Sequence, residues 1–139
     1  MPSNASAARR PCVVVINDTE EILELFRDIL TQMGCDVVLM SYAPDDLHRI
    51  EQERPELVVI DFVLGGREFE GWQLLQKLRM NRATESVPII ACTAALQQVR
   101  DQEGYLLEQN ITVVLKPFNV DQLEAAVRKA LPTLAPTSD

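Results

Sequence analysis

Residues 57–61 read Leu-Val-Val-Ile-Asp, a run of four apolar residues that ends in an aspartate. A continuous apolar run of this length, rich in β-branched side chains, is typical of a strand buried on both faces of a parallel sheet. An aspartate after a strand is usually a turn residue or a helix cap. An aspartate that ends so apolar a run is harder to explain in that way, so Asp61 is the first candidate for a functional residue.

Four further short apolar runs punctuate the chain, two before this stretch and two after it. They are Cys12–Asn17, Asp36–Met40, Pro88–Thr93 and Ile111–Lys116. Helical patterns lie between the runs, and strands that alternate with helices predict an α/β fold with a parallel sheet covered on both faces. In such sheets, ligands bind at the carboxyl ends of the strands, near the point where the strand order reverses.

The spacing of apolar residues predicts five helices. The first starts after Asp18 or Thr19, either of which can cap it, and ends at Gly34. The last starts at Asn119, with Gln122 placed as the second residue of a capping box. The other three are a short helix that Pro44 begins and Pro55 stops, a helix that carries Leu74, Leu75 and Leu78, and a less clearly patterned helix over residues 95–108.

Length and charge narrow the classes of protein. The 139 residues suit one domain, predicted over residues 11–131 with flexible tails at 1–10 and 132–139. The net charge of -8 disfavours binding to nucleic acid. No apolar stretch is long enough for a signal peptide or a membrane span. We therefore expect a cytoplasmic protein whose three cysteines are reduced.

Polar residues stand at the carboxyl ends of four predicted strands: Asn17-Asp18, Asp61, Thr93 and Lys116. Two carboxylates repel each other unless a cation lies between them, and Mg²⁺ prefers oxygen ligands of this kind. With a lysine ammonium and a threonine hydroxyl, the set suits a dianionic phosphoryl group, which a carboxylate can accept. Individually, Asp18 and Thr93 could be helix caps and Lys116 a solvated loop residue. Their joint occurrence, in order, favours a site.

The segments VVVIND, VVIDFVLGG, PIIACTA and VVLKPF resemble, in this order, the signature segments of response-regulator receiver domains. The helical segment GWQLLQKLR is also similar to that family's pattern, and the resemblance covers about residues 11–131. It implies a flavodoxin-like fold, with a five-stranded parallel sheet of order 2-1-3-4-5 and helices on both faces. It also implies a phosphoprotein in a two-component system that receives its phosphoryl group from a sensor histidine kinase or a phosphotransfer protein.

The resemblance assigns a role to each residue of the site. Asp61 would be the phosphoryl acceptor, with Thr93 and Lys116 as the other catalytic residues. Mg²⁺ would be the cofactor, held by Asp18, Asp61 and the backbone carbonyl of Val63, with Asn17 beside these ligands holding a metal-bound water. The residues that respond to phosphorylation would be Thr93, Ala94 and Val113.

Three features depart from the family pattern. Asn17 stands where the family usually has a carboxylate, from which we expect weaker Mg²⁺ binding and altered dephosphorylation. The loop 62–70 is longer than usual and contains Gly65-Gly66. Val113 replaces an aromatic residue whose rotation, in the family, reports the shift of the threonine.

These observations predict a stand-alone receiver that phosphorylates and dephosphorylates itself. Its output would pass by protein contact or phosphorelay to an unknown downstream protein, as a monomer or a homodimer. The alternative is a phosphate-independent pseudo-receiver, an interaction module that Asn17 slightly favours. A phosphatase of the haloacid-dehalogenase type is disfavoured, because Val63 stands where those enzymes have a second aspartate.

Overall fold

The computed structural model describes residues 10–41, 47–61, 70–93, 110–132 and 134. These residues form five strands and four helices. In chain order they are β1 (Cys12–Ile16), α1 (Glu20–Gln32), β2 (Asp36–Met40), α2 (Leu47–Glu53), β3 (Leu57–Asp61), α3 (Glu70–Met80), β4 (Ile89–Thr93), β5 (Ile111–Leu115) and α4 (Val120–Ala130). The helix predicted over 95–108, the residues Val63 and Ala94, and most of the loop 62–70 lie outside the described residues.

The five strands form one sheet of order β2-β1-β3-β4-β5 with every neighbouring pair parallel. The α/β prediction and the strand order are thus confirmed. The order reverses at β1, which pairs with β2 on one side and with β3 on the other. The carboxyl ends of β1 and β3 lie side by side, because Ile16 pairs with Ile60 in the register of the two strands.

The core lies on both faces of the sheet because successive residues of a strand point to opposite faces. On β1, Val13 and Val15 belong to one apolar cluster, whereas Val14 and Ile16 belong to the other. The first cluster is completed mainly by α1 and α4, through Leu23, Phe26, Ile29, Leu30, Leu123, Ala126 and Val127. The second is completed mainly by α2 and α3, through Ile50, Leu74, Leu75 and Leu78. This double cover explains the continuous apolar runs of the central strands.

Two of the predicted helix ends agree with the structure, and one predicted cap does not. The capping box at α4 is present: Gln122 N donates to Asn119 Oδ1 at 2.8 Å, and Asn119 N donates to Gln122 Oε1 at 2.9 Å. Gly34, which follows α1, has a φ of 97°, a conformation that glycine adopts without strain. The exception is Thr19, which occupies the N-cap position of α1 but makes no side-chain capping bond.

None of the helices in the described part of the chain combines the length and apolar character that a bilayer crossing requires. All three cysteines are free thiols, as predicted, with Cys35 and Cys92 buried and Cys12 half-buried.

Candidate functional site

Asp61 is the last residue of β3 and is only 6% exposed, although it carries a carboxylate. Its strand lies between β1 and β4, so its side chain sits at the carboxyl edge of the sheet close to the reversal of strand order. Burial of a charge is costly unless the charge is paired and hydrogen-bonded. The groups that contact this carboxylate therefore define the site.

Asn17 is the first of these groups. It follows β1 directly, is 3% exposed, and its Nδ2 donates a hydrogen bond to Asp61 Oδ2 at 3.2 Å. On the other side, its Oδ1 accepts from the backbone N–H of Thr19 at 2.8 Å. The two neighbours together determine the amide's orientation, because an N–H donor requires the oxygen and a carboxylate requires the nitrogen. Asn17 thus joins the start of α1 to the end of β3.

Lys116 is the second group. Its ammonium forms an ion pair with Asp61 Oδ2, the same oxygen that accepts from Asn17. The Lys116 side chain is 38% exposed whereas that of Asp61 is 7% exposed, so the pair lies at the boundary between protein and solvent. The backbone N–H of Lys116 donates to the carbonyl oxygen of Thr93 at 2.9 Å, which ties the lysine to the end of β4. Two donors, one of them cationic, therefore converge on one oxygen of the buried carboxylate.

Thr93 and Asp18 occupy the inner and outer parts of the same edge. Thr93 ends β4 and is fully buried. Asp18 is exposed and lines an open pocket between the start of α1 and the end of β2, together with Ser41 and two glutamates, Glu20 and Glu24. The structure thus brings Asn17, Asp61 and Lys116 into direct contact, places Thr93 beside the lysine backbone, and leaves Asp18 at the solvent-facing rim.

Two residues contribute in ways that the sequence did not predict. Thr19, expected only as a helix cap, uses its backbone N–H to orient Asn17; the spacing of two residues between them is that of an Asx turn. Cys92 pairs with Asp61 in the register of β3 and β4. Burial raises the pKa of its thiol from about 9 to about 12, and the negative charge of Asp61 adds to this rise while Lys116 opposes it. The thiol is therefore kept neutral next to the carboxylate.

Val113, the third predicted switch residue, is half-buried on β5 and packs against the cluster that contains Ile16 and Leu75. It thus lies on the opposite face of the sheet from α1 and α4. Its role, like the roles of Thr93 and Ala94 in a switch, stays a prediction.

The carboxylate oxygens at this edge of the sheet are ligands of the kind that Mg²⁺ prefers. Among the described residues, no group of three or more His, Cys, Asp or Glu side chains converges to hold a metal ion. Asp61 ends β3, and the exposed Asp18 lies two residues after the end of the neighbouring strand β1. Mg²⁺ is commonly bound in this way, through one or two carboxylates with several waters retained.

The sequence model of the response regulator receiver domain matches residues 13–128 of the chain. The chain belongs to this family. The matched range includes every residue of the site described above.

The chain covers nearly the whole length of some relatives and only part of the length of others. It is 25% identical to protein PilG of Pseudomonas aeruginosa over 89% of the chain and 90% of that protein. It is 30% identical to the phosphate regulon transcriptional regulatory protein PhoB of Rhizobium meliloti, over 87% of the chain but only 52% of that protein. The chain therefore spans nearly all of the first relative and about half of transcriptional regulators such as the second.

Solved structures show the same fold. Chemotaxis response regulator CheY4 of Vibrio cholerae superposes with a TM-score of 0.75 at 19% identity, covering 88% of this chain and 99% of that one. The receiver domain of sensor histidine kinase PA1611 of Pseudomonas aeruginosa superposes with a TM-score of 0.74 at 21% identity, covering 90% and 100%. That structure has a magnesium ion coordinated in the active site cleft.

Proposed function

We propose that this receiver accepts a phosphoryl group on Asp61 from a phosphohistidine of a sensor histidine kinase or a phosphotransfer protein. The observation that carries the proposal is the buried Asp61 carboxylate whose Oδ2 accepts from both Lys116 and Asn17. In the transfer, a carboxylate oxygen of Asp61 forms the new bond to phosphorus. The bond between phosphorus and the histidine nitrogen breaks, and the imidazole leaves with the electron pair and takes up a proton.

The residues around Asp61 have separate tasks in this reaction. The Lys116 ammonium stabilises the negative charge that the phosphoryl oxygens bring to the site, as fixed cations do in phosphoryl transfer. Asp18 and Asp61, with the predicted carbonyl of Val63, would hold Mg²⁺, which when bound neutralises carboxylate and phosphoryl charge. The magnesium in the cleft of the PA1611 receiver domain supports this part of the proposal. The Thr93 hydroxyl is proposed to bind the phosphoryl group after transfer.

We propose that phosphorylation changes the conformation of Thr93 and Lys116, which border the new charge. Phosphorylation replaces the single negative charge of the Asp61 carboxylate with about two on the phosphoryl group, and Thr93 is joined to Lys116 through the backbone hydrogen bond between them. A shift of either residue would therefore displace the other, together with the ends of β4 and β5. We propose that the resulting change is read by a downstream protein or by phosphorelay. A single-domain protein in the cytoplasm, as monomer or homodimer, remains part of this proposal.

The test is the mass of the intact protein after incubation with acetyl phosphate, with Mg²⁺ or with a chelator. We expect one added phosphoryl group that requires Mg²⁺ and is absent from Asp61→Asn. The matched control is Asp36→Asn, which makes the same change on an exposed aspartate at the start of β2, at the other end of the sheet. Early time points are needed because receivers hydrolyse their own phosphoryl group.

A second candidate function is the phosphate-independent interaction module. It is favoured by Asn17, whose amide already bonds to Asp61 where the family usually supplies a carboxylate. If the wild-type protein gains no mass while circular dichroism shows that it is folded, this second function replaces the first. A cellular assay separates them as well, because Asp61→Ala abolishes signalling only if phosphate is used.

A further inference from the structure

We infer that Asn17 competes with Mg²⁺ for the Asp61 carboxylate, so that part of the charge at the site is satisfied without a metal. This inference rests on the metal-binding part of the proposed function. It concerns the affinity for Mg²⁺ and not the phosphoryl transfer itself. Asn17 then acts as a positioning residue that sets how strongly the site needs its cation.

The direction of the Asn17 amide favours this competition. Asn17 turns its nitrogen, the electropositive end of the amide, to Asp61 Oδ2 at 3.2 Å. A cation bound by both Asp61 and Asp18 must coordinate the Asp61 carboxylate, whose Oδ2 also accepts from the Lys116 ammonium. A hydrogen bond to an ionised group is roughly twice as strong as one between neutral groups. The amide therefore satisfies part of the charge that a metal would otherwise satisfy.

The Asn17 amide is held in this direction by a second hydrogen bond and by burial. Its Oδ1 accepts from the backbone N–H of Thr19 at 2.8 Å, and the side chain is 3% exposed. To offer its oxygen to a metal or to a metal-bound water, Asn17 would have to turn its nitrogen toward that N–H. Two donors would then face each other in a buried place, which leaves a polar group unsatisfied. The orientation that opposes the cation is thus the stable one.

Another asparagine in the chain bonds to a carboxylate in the same way. Asn81, after α3, has the same arrangement: its Oδ1 accepts from the N–H of Ala83 at 2.8 Å, and its Nδ2 donates to the carboxylate of Glu51. No candidate metal ligand lies next to Asn81 in sequence, whereas Asp18 follows Asn17. The pair of asparagines thus provides a site and its matched control within one protein.

The test measures Mg²⁺ binding to the full chain by titration calorimetry, for wild type, Asn17→Ser and Asn81→Ser. A serine at position 17 keeps an acceptor for the Thr19 N–H, since serine makes the same turn more weakly, but is too short to reach Asp61. We expect Asn17→Ser to bind Mg²⁺ about tenfold more tightly than wild type, which corresponds to ~1.4 kcal/mol. Asn81→Ser should bind it with unchanged affinity.

A second measurement uses the wild-type protein, so that the inference does not depend on the folding of a variant. The side-chain amide resonances of Asn17 are followed by NMR during the same titration. We expect their chemical shifts to move away from the values of an amide hydrogen-bonded to a carboxylate. The midpoint of this change should equal the midpoint of Mg²⁺ binding. Resonances that stay unchanged at saturation would overturn the inference.

The outcomes separate this inference from the function on which it rests. Weaker or equal binding by Asn17→Ser overturns the competition, shows that the amide assists the metal or ignores it, and leaves the proposed function intact. If neither wild type nor Asn17→Asp, which restores the carboxylate, binds Mg²⁺, then the metal is removed from the proposed function as well. Tighter binding by Asn17→Ser alone supports the inference.

Discussion

Replacing Lys116 by methionine removes the ammonium that pairs with Asp61 and keeps a side chain of similar length. The carboxylate then retains the hydrogen bond from Asn17 but loses its cationic partner. Because Asp61 is buried at the end of β3, water can replace the lost ammonium only in part. We therefore expect the variant to fold but to be less stable than wild type.

The magnitude follows from the exposure of the two partners. Removing one partner of a fully buried ion pair costs about 3–5 kcal/mol, whereas a fully exposed pair contributes about 0–1 kcal/mol. The side chain of Asp61 is 7% exposed and that of Lys116 is 38% exposed, so the pair lies between these limits. We expect Lys116→Met to lower the free energy of unfolding by about 2 kcal/mol.

The assay is a double-mutant cycle in urea with Lys116→Met, Asp61→Asn and the double variant. Neighbours that interact show a coupling energy of about 0.5–3 kcal/mol, and we expect at least ~1 kcal/mol here. Lys129→Met, on the exposed surface of α4, is the matched control and should show no coupling to Asp61→Asn. A coupling energy for Lys116 that is indistinguishable from that of Lys129 would refute the ion pair and the electrostatic account built on it.

Three further predictions concern core packing, helix capping and the reactivity of the cysteines. Leu75→Ala should lower the free energy of unfolding by about 2–5 kcal/mol in urea, since Leu75 is fully buried in the cluster beneath α3. Asn119→Ala should cost about 1 kcal/mol in the same assay, because it removes the capping box of α4; an unchanged midpoint would contradict the observed cap. With a maleimide at pH 8, Cys12 should react well before Cys92. Burial raises the pKa of Cys92 to about 12, so its thiolate, the reactive form, stays rare until the pH rises far above neutral.

The central strands were predictable because a strand that is buried on both faces has a continuous apolar sequence. The run from Leu57 to Ile60 is continuous and apolar, and all four side chains are buried. The edge strand β5 shows the limit of this argument. Its run Ile111–Leu115 is apolar except for Thr112, yet Leu115 is exposed because β5 is an edge strand. Composition does not reveal which strand lies at the edge of a sheet.

The residues that form the site were predictable, but the hydrogen bonds between them were not. Polar residues at strand ends must meet when the strands are parallel, and Asn17, Asp61 and Lys116 do meet. The direction of the Asn17 amide depends on the Thr19 N–H, a backbone group whose position only the folded chain defines. Thr19, one of the two residues predicted as a cap, makes no side-chain capping bond, and its hydroxyl lies 3.5 Å from the Asp18 carboxylate.

The most direct measurement of the central claim is the position of the phosphoryl group. After brief incubation with acetyl phosphate and Mg²⁺, the protein is treated with borohydride, which reduces an aspartyl phosphate to homoserine but leaves a free carboxylate unchanged, and its peptides are sequenced by mass spectrometry. We predict homoserine at position 61 and at no other aspartate. Homoserine at Asp18 or at another carboxylate, or none at any position in a folded protein that has been treated promptly, would contradict the assignment of Asp61 as the phosphoryl acceptor.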